Sequence, residues 1–500
     1  MTKRHCILAL DQGTTSSRAI LFDEDARPLA SAQQEFPQLY PHDGWVEHDP
    51  EEIWHSVLSV MRKMLSWAQT HEREVVALGI TNQRETTLLW DKTTGKAVYN
   101  AIVWQDRRTA KFCASLKEQG HEESIQSRSG LLLDPYFSAS KLNWILEHVP
   151  NARRRSERGE LCFGTVDSFL IWRLTGGRQH LTDATNACRT SLYNIHSEQW
   201  DPELLRLFDI PTTVLPDVQG CAAEFGTTDP DLLGREIPIL GVAGDQQAAS
   251  IGQCCFDRGD IKSTYGTGCF VLLNTGDQAI RSRERLLTTI AYRLDGKTQY
   301  ALEGSIFVAG AAVQWLRDAL GIIQSAEETE SLAASLQTNL GVYLVPAFTG
   351  LGVPYWAPDA RGALVGLTRA AGRAAIARAA LEAVAYQTQD LFAAMAREGI
   401  TPATLRVDGG MTANNWLLQF IANILNTEVL RPQITETTAL GTAYLAGRQA
   451  GVYGNQSEFA NTWRCDARFE PGMSALLRNQ LMAGWHDAVH RVLAPNQTKG

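Results

Sequence analysis

The chain has 500 residues, of which 44% are hydrophobic and 20% charged, and its formal net charge is -9. This composition excludes a disordered or membrane-embedded chain, and the length predicts at least two domains. The acidic balance, without a long basic run, argues against a nucleic-acid partner. At the N-terminus the apolar stretch is too short for a signal peptide or a membrane span, so the sequence predicts a cytoplasmic protein.

The first predicted element is a strand that ends in an acid and several small hydroxyl side chains, in ILALDQGTTSSRAILFD. Gly, Ser and Asp are ordinary turn residues, so a plain hairpin is one interpretation. The other is a phosphate-binding turn, in which Gly13 lets the backbone approach a phosphate and Asp11 holds Mg²⁺. Amide and hydroxyl donors to the phosphate would come from Thr14, Thr15 and Ser16.

The segment HDPEEIWHSVLSVMRKMLSWAQ predicts a helix. Asp49 is suited to cap its start, and Pro50 fits the first turn. The apolar positions that form one face of this helix are Ile53, Val57, Val60, Met61, Met64 and Ala68. Strand-like segments such as EVVALGI alternate with helix-like ones along the chain, which predicts an α/β protein.

On residue type alone, several later positions fit ordinary structural roles that involve no ligand. Arg84 and Glu85 come where an apolar strand ends, and such a neighbouring pair is commonly a satisfied surface pair. Lys141 fits the solvated face of a helix. Three aromatic side chains would ordinarily belong to the core, namely Trp104, Tyr136 and Phe270.

Asp245, in GVAGDQQ, follows a predicted strand and is flanked by small residues that leave room for a ligand. A turn-forming or helix-capping role is the alternative interpretation. The helix-like segment after it ends near residue 254, and a strand and turn pattern then begins afresh. We therefore predict two domains, residues 1–254 and 255–500.

The second half of the chain opens as the first does. An apolar run, a glycine-threonine turn at 266–268 and another apolar run extend from Ile261 to Leu273. In LRVDGGMTANN a strand ends at Asp408 and a helix begins near Asn414, and an amide-rich helix start suits a phosphate or adenosine. The two halves are thus predicted to offer hairpins to one ligand, in a cleft between them.

Other nucleotide-binding and metal-binding motifs are missing from the sequence. The only GKT, at 296–298, has Ala291 where a P-loop needs its first glycine. No G-x-G-x-x-G follows a strand, and the protein-kinase catalytic set is absent. The nine cysteines include no C-x-x-C pair, which indicates neither a zinc site nor a disulfide framework.

Taken together, ten segments resemble the FGGY family of carbohydrate kinases in order and approximate spacing. They are LDQGTTSSR, GWVEHDP, TNQRETT, NAIVWQDRRT, DPYFSASKLNWIL, GVAGDQQAA, TYGTGCF, ALEGSIFVAGAAVQWLRD, PAFTGLGVPYW and RVDGGMTANNW. The resemblance implies an α/β, two-lobed, duplicated ribonuclease H-like (actin-like ATPase) fold with an interdomain cleft. It also implies a homo-oligomer, a dimer or a tetramer.

The resemblance further implies an ATP site between the lobes. Mg²⁺ would be held by Asp11 and Asp245. The remaining nucleotide-binding residues that it implies are Thr14, Thr15, Ser16, Arg18, Thr267, Gly310, Gln314, Gly410, Met411 and Asn414.

For the acceptor, the resemblance implies that Arg84, Glu85 and Gln246 bind the hydroxyls of a small polyol. Asp245 would be the general base, and the walls would be Trp104, Tyr136 and Phe270. The implied reaction transfers the γ-phosphate of Mg-ATP to glycerol, giving sn-glycerol 3-phosphate and ADP. A related sugar or polyol kinase is the alternative, and an actin-like ATPase switch is a further one.

Overall fold

The computed structural model describes residues 4–357 and 359–493, which form two lobes, each built on a β-sheet. Its strands are β1 (Arg4–Gln12), β2 (Ser16–Phe22), β3 (Pro28–Glu35), β4 (Glu47–His48), β5 (Arg73–Asn82), β6 (Leu88–Asp91), β7 (Ala101–Ile102), β8 (Leu161–Gly164), β9 (Leu181–Asp183), β10 (Tyr193–Asn194), β11 (Gln199–Trp200), β12 (Asp217–Gln219), β13 (Ile239–Gly244), β14 (Ile261–Tyr265), β15 (Cys269–Gly276), β16 (Leu287–Leu294), β17 (Lys297–Ile306), β18 (Tyr343–Val345), β19 (Ala363–Val365), β20 (Thr404–Asp408), β21 (Glu428–Pro432) and β22 (Cys465–Phe469).

The helices are α1 (Pro50–Thr70), α2 (Ala110–Glu118), α3 (Glu122–Ser129), α4 (Ser138–His148), α5 (Ala152–Glu157), α6 (Val166–Leu174), α7 (Ala184–Ala187), α8 (Pro202–Leu207), α9 (Pro230–Leu233), α10 (Asp245–Gly252), α11 (Gly310–Asp318), α12 (Glu328–Ala334), α13 (Arg373–Arg397), α14 (Asn415–Leu425), α15 (Thr437–Gln449), α16 (Gln456–Ala460) and α17 (Ala475–Leu493). Short 3₁₀ helices occur at Thr212–Val214 and Gly410–Ala413. Within the described ranges, no helix is long and apolar enough to cross a membrane.

The first sheet has five strands in the order β13-β5-β1-β2-β3. The predicted hairpin is confirmed, because β1 and β2 are antiparallel and pair Ile7 with Phe22. In contrast, β1, β5 and β13 run parallel to one another. The carboxyl ends of these three strands therefore meet at one edge of the sheet, where ligands commonly bind in open α/β sheets.

The second sheet repeats this arrangement within seven strands, in the order β16-β17-β15-β14-β20-β21-β22. Its antiparallel hairpin, β14 with β15, pairs Ile261 with Leu273, as predicted. Strand β14 is parallel to β20, which in turn is parallel to β21. The order β17-β15-β14-β20-β21 matches β3-β2-β1-β5-β13, so the predicted duplicated ribonuclease H-like fold is confirmed.

Helix α1 packs against β2 and β3 and has the start predicted for it. The Asp49 carboxylate accepts a hydrogen bond from the backbone amide of Glu51 at 2.8 Å, and Pro50 occupies the first turn. All six predicted apolar positions of α1 are buried. An N-cap of this kind stabilises a helix by about 1 kcal/mol, and the apolar face secures α1 to the sheet.

Two crossing helices, α10 and α15, join the lobes. Their backbones touch: a Cβ added to Gly252 would lie 2.0 Å from the carbonyl oxygen of Thr437, and one added to Gly441 would lie 1.9 Å from that of Ala248. Helix α15 also packs against β1, β5 and β13, although it comes late in the chain. The first sheet is therefore covered on one face by a helix from the second half of the sequence.

Candidate active site between the lobes

The carboxyl ends of β1, β5 and β13 place three of the predicted site residues at one edge of the first sheet. Asp11 lies near the end of β1, Arg84 follows β5 and Asp245 is the first residue of α10, directly after β13. Arg84 Nε lies 3.2 Å from Asp245 Oδ1. Burial and the nearby carboxylates of Asp245 and Glu436 raise the pKa of Asp11 to about 7. This edge therefore concentrates negative charge that a cation would offset.

The two hairpin turns have similar local geometry. The amide of Gly13 donates to the Ser16 carbonyl at 2.9 Å, and the amide of Gly266 donates to the Gly268 carbonyl at 2.9 Å. Both turns are rich in backbone amides and small side chains, as a phosphate-binding turn requires. Thr15 and Thr267 are exposed at their turns.

Arg84 and Glu85 are buried, with 2% and 1% of their surface exposed, so the interpretation as a solvated surface pair is wrong. Arg84 donates from Nη1 and Nη2 to the carboxylate of Glu303 at 2.6 and 3.1 Å. Glu85 accepts from Arg189 Nε at 2.6 Å. Neither Arg189 nor Glu303 was predicted, and the only signal for them was a charged residue inside an otherwise small or apolar segment.

The three aromatic rings predicted for the acceptor pocket lie close together, and one of them is near Arg84. The Trp104 ring meets those of Tyr136 and Phe270 edge to face, with centroids 5.7 and 6.0 Å apart. The Arg84 guanidinium carbon lies 5.9 Å from the centroid of Phe270. The structure thus brings polar groups and an apolar wall together beside Asp245, an arrangement suited to a small polyhydroxyl ligand.

Lys141 is fully buried, so its interpretation as a solvated helix residue is wrong. Its ammonium group donates to the carbonyl oxygens of Pro135, Tyr136 and Phe137 at 2.8, 2.6 and 2.9 Å. Burial lowers the pKa of Lys141 to about 8. Because all three acceptors belong to one turn, Lys141 fixes the backbone that presents the Tyr136 ring.

Two hydrogen bonds connect the acceptor pocket to its surroundings. Trp104 Nε1 donates to Thr14 Oγ1 at 3.0 Å, which joins the aromatic wall to the first hairpin. Lys262 Nζ donates to Gln246 Oε1 at 2.5 Å, which joins the predicted hydroxyl-binding amide to the second hairpin. Lys262 is a buried cation that was not predicted.

A cavity of about 350 Å³ lies in the second lobe beside the second hairpin. The predicted nucleotide residues of that lobe all line it, namely Thr267, Gly310, Gln314, Gly410, Met411 and Asn414. In its lining, a Cβ on Gly310 would lie 2.6 Å from the Gly266 carbonyl oxygen, so only glycine lets helix α11 start this close to the turn. The volume is within the range of small-molecule sites.

The predicted residues of the first lobe do not line this cavity. Arg18 instead forms an ion pair of 2.7 Å with Glu436, just before α15. The predicted helix start at Asn414 is confirmed, because its side chain accepts from the Leu417 amide at 2.9 Å. A 3₁₀ turn precedes that helix, which the sequence did not predict.

Comparison with known proteins adds relatives that match over nearly the whole chain. Glycerol kinase from Rhodospirillum centenum is 65% identical over 491 residues, 98% of this chain and 99% of its own. Glycerol kinase 1 from Pseudomonas aeruginosa is 60% identical over 488 residues, with the same shares covered.

Among solved structures, Plasmodium falciparum glycerol kinase with ADP has a TM-score of 0.91 at 37% identity and covers 98% of both chains. Gluconate kinase from Lactobacillus acidophilus shares the fold, with a TM-score of 0.89 at 22% identity, covering 98% of this chain and 99% of that one. Residues 6–252 match the N-terminal domain of the FGGY family of carbohydrate kinases, and residues 261–450 match its C-terminal domain. This chain, with its duplicated fold and paired hairpins, belongs to the FGGY family of carbohydrate kinases.

Proposed function

We propose that the chain is an ATP:glycerol 3-phosphotransferase, which transfers the γ-phosphate of ATP to glycerol and releases sn-glycerol 3-phosphate and ADP. The observation that carries this proposal is the pocket at Asp245, where a buried charged pair meets three aromatic rings beside both hairpins. The relatives named glycerol kinase, up to 65% identical over nearly the full chain, support glycerol as the acceptor.

In this reaction the Asp245 carboxylate accepts the proton of the attacking hydroxyl. Its side chain is 29% exposed; burial raises the pKa of Asp245, and the Arg84 guanidinium 3.2 Å away opposes that rise. Arg84 donates to the glycerol hydroxyls, and Glu85 and Gln246 complete the polar contacts. Phosphoryl transfer needs positioning and charge stabilisation more than covalent catalysis, so this small set of side chains is sufficient.

Mg²⁺ is part of the proposal, with Asp11 and Asp245 as the residues that would hold it. Their carboxylates suit the ion, which proteins usually bind through one or two carboxylates together with substrate phosphates. The raised pKa of Asp11, about 7, comes from burial and from neighbouring carboxylates, which a cation would offset. When bound, Mg²⁺ neutralises charge on the phosphates of ATP.

We place the nucleotide along both hairpins and into the cavity of the second lobe. Thr14, Thr15 and Ser16 would contact the phosphates from the first lobe, with Arg18 beside them. Thr267 would do so from the second lobe, and the remaining cavity residues would contact adenosine. The homo-oligomer and the cytoplasmic location predicted above stay predictions.

An ATPase switch on the same fold is the alternative from another class. A switch has no need of a charged, aromatic-walled acceptor pocket, which disfavours it. The decisive assay measures ADP production from Mg-ATP with glycerol, dihydroxyacetone, xylulose, ribulose, erythritol or no acceptor. Strong stimulation by glycerol with sn-glycerol 3-phosphate as product supports the proposal. Preference for a pentulose would favour a related sugar kinase, and turnover indifferent to all acceptors would favour the switch.

Replacing Arg84 by alanine is expected to raise the KM for glycerol by about 10- to 100-fold, because a hydrogen bond to a charged group contributes roughly 1.5–3 kcal/mol. Steady-state kinetics with glycerol and with ATP varied separately would measure this. Arg27→Ala is the control, since the Arg27 side chain is 74% exposed. An unchanged KM for glycerol in Arg84→Ala would remove Arg84 from the acceptor site.

A further inference from the structure

We propose that Arg189 and Glu303 are positioning residues that fix the orientation of Arg84 and Glu85 and thereby set the selectivity of the acceptor pocket. The inference rests on the proposed function, since it concerns how the pocket distinguishes glycerol from acceptors with fewer hydroxyls. Neither residue is assigned a contact with the acceptor. They act through the two side chains that we place against its hydroxyls.

The four side chains alternate in charge along one continuous set of hydrogen bonds. Glu303 accepts two bonds from Arg84, at 2.6 and 3.1 Å, and a third from Arg189 Nη2 at 2.8 Å. Arg189 Nε then donates to Glu85 at 2.6 Å. Arg84 and Glu85, the two residues predicted to bind the hydroxyls of the substrate, are therefore each paired with a side chain of opposite charge. The two bonds from Arg84 to Glu303 fix the plane of the Arg84 guanidinium.

Burial makes this arrangement rigid. Arg189 and Glu303 are 0% exposed, and water cannot replace either partner. The Arg189 guanidinium also lies 5.6 Å from the Tyr136 ring centroid and 5.3 Å from that of Phe137. Burial by itself would raise the pKa of Glu303. The neighbouring guanidinium groups of Arg189 and Arg84 outweigh that effect and hold the pKa of Glu303 below its usual value. The pair is thus ionised and geometrically defined.

Arg84 forms ion pairs with three carboxylates, those of Glu303, Asp245 and, at 3.8 Å, Glu85, and its choice between the first two matters for the chemistry. Its Nη1 and Nη2 atoms bind Glu303, whereas its Nε atom lies 3.2 Å from Asp245 Oδ1. Without Glu303, the Nη atoms of Arg84 would keep only the 3.2 Å bond from Nη1 to Gln247, so the guanidinium could turn to Asp245 and form a paired ion contact with it. That contact would withdraw Arg84 from the acceptor and hold the general base in an unreactive pair.

The anchor comes from the opposite lobe. Glu303 lies on β17 of the second sheet, while the other three members of the cluster belong to the first lobe. Phe270 pairs with Ser305, and Leu272 pairs with Glu303, so Glu303 and Phe270 share a face of that sheet. One face of the second sheet thus supplies both an aromatic wall of the pocket and the anchor of Arg84.

The test compares glycerol with 1,2-propanediol, which lacks one hydroxyl, in Glu303→Gln, Arg189→Lys and the double variant Arg189→Met/Glu303→Met. We expect kcat/KM for glycerol to fall by about 100-fold and the glycerol preference to fall at least about tenfold, because a pocket rejects a ligand that lacks a hydroxyl only when its polar groups are held in place. The KM for ATP should stay within about twofold of that of the unaltered protein.

The double variant separates an effect on selectivity from an effect of misfolding. Glu303→Gln leaves an uncompensated buried charge, whereas removing both Arg189 and Glu303 leaves Arg84 and Glu85 balanced and places apolar side chains where ions were. A double variant that folds and retains the full glycerol preference would overturn the proposal. A glycerol preference lost together with an unchanged KM for ATP would support it.

Glu382→Gln is the matched control. Glu382 is a buried carboxylate that accepts from Arg378 Nε at 2.7 Å, away from the acceptor pocket. We expect it to lower the melting temperature and leave the ratio of the two acceptors unchanged. If the unaltered protein shows no turnover with glycerol, the proposed function itself fails. Normal turnover with an unchanged preference in all Glu303 and Arg189 variants overturns only the positioning role.

Discussion

Replacing Asp245 by asparagine is expected to lower the maximal rate with glycerol by about 10²- to 10⁴-fold, the usual contribution of a general base. Asparagine keeps the size and one acceptor oxygen of the side chain but cannot take the proton of the attacking hydroxyl. The nearest charged side chain, Arg84 at 3.2 Å, is a cation and cannot accept that proton in place of Asp245. We therefore expect Asp245→Asn to lower the maximal rate.

The measurement is steady-state ADP production at saturating glycerol and Mg-ATP, with nucleotide affinity determined separately by calorimetry. Asp209→Asn provides the control, because its side chain is 72% exposed and its pairing with Arg153 lies on the surface. Full turnover in Asp245→Asn would exclude Asp245 as the base. If Asp245→Asn loses both its turnover rate and much of its nucleotide affinity, the chief role of Asp245 is instead to hold the metal.

Replacing Gly441 by alanine is expected to destabilise the whole protein by about 3 kcal/mol, at the upper end for overpacking, because the added methyl would meet backbone and not a flexible side chain. Its Cβ would lie 1.9 Å from the Ala248 carbonyl oxygen and 2.8 Å from the Gly252 amide nitrogen. Helices α10 and α15 would have to separate. Since α15 also covers the first sheet, the displacement would reach the site edge of that sheet.

Thermal unfolding followed by calorimetry, with turnover measured on the same samples, would check this. Gly372→Ala is the control, because a Cβ there meets no heavy atom within 4 Å and its φ of -97° suits alanine. We expect Gly441→Ala to melt several degrees lower and to lose activity, and Gly372→Ala to change neither. An unchanged melting temperature in Gly441→Ala would show that the helices adjust without cost.

Local signals in the sequence were sufficient for the secondary structure around the site. The turn residues after Leu10 and at 266–268 predicted two hairpins, and both form with the expected pairing. Asp49 and Asn414 predicted helix starts, and each accepts a backbone amide there. These features depend on turn chemistry and capping, which involve residues that are neighbours along the chain.

The family resemblance predicted the duplicated fold and nominated the residues that the structure brings together at Asp245. Residue type alone was misleading for three charged residues. Arg84 and Glu85 look like a surface pair by spacing, and Lys141 looks like a solvated helix residue, yet all three are buried. A buried charge can be recognised only from its partners, and those partners lie elsewhere in the chain.

The sequence by itself therefore determined the two hairpins and the starts of α1 and α14, and through the family resemblance it indicated the type of chemistry available to this protein. Only the tertiary structure decided which charges face one another. Arg84 meets Glu303 across 219 positions, and Arg189 meets Glu303 across 114. Such pairings form because the second sheet, which carries Glu303, packs against the first lobe, which carries Arg84 and Arg189. Because periodicity and spacing describe only neighbours along the chain, they carry no information about which distant residues will meet.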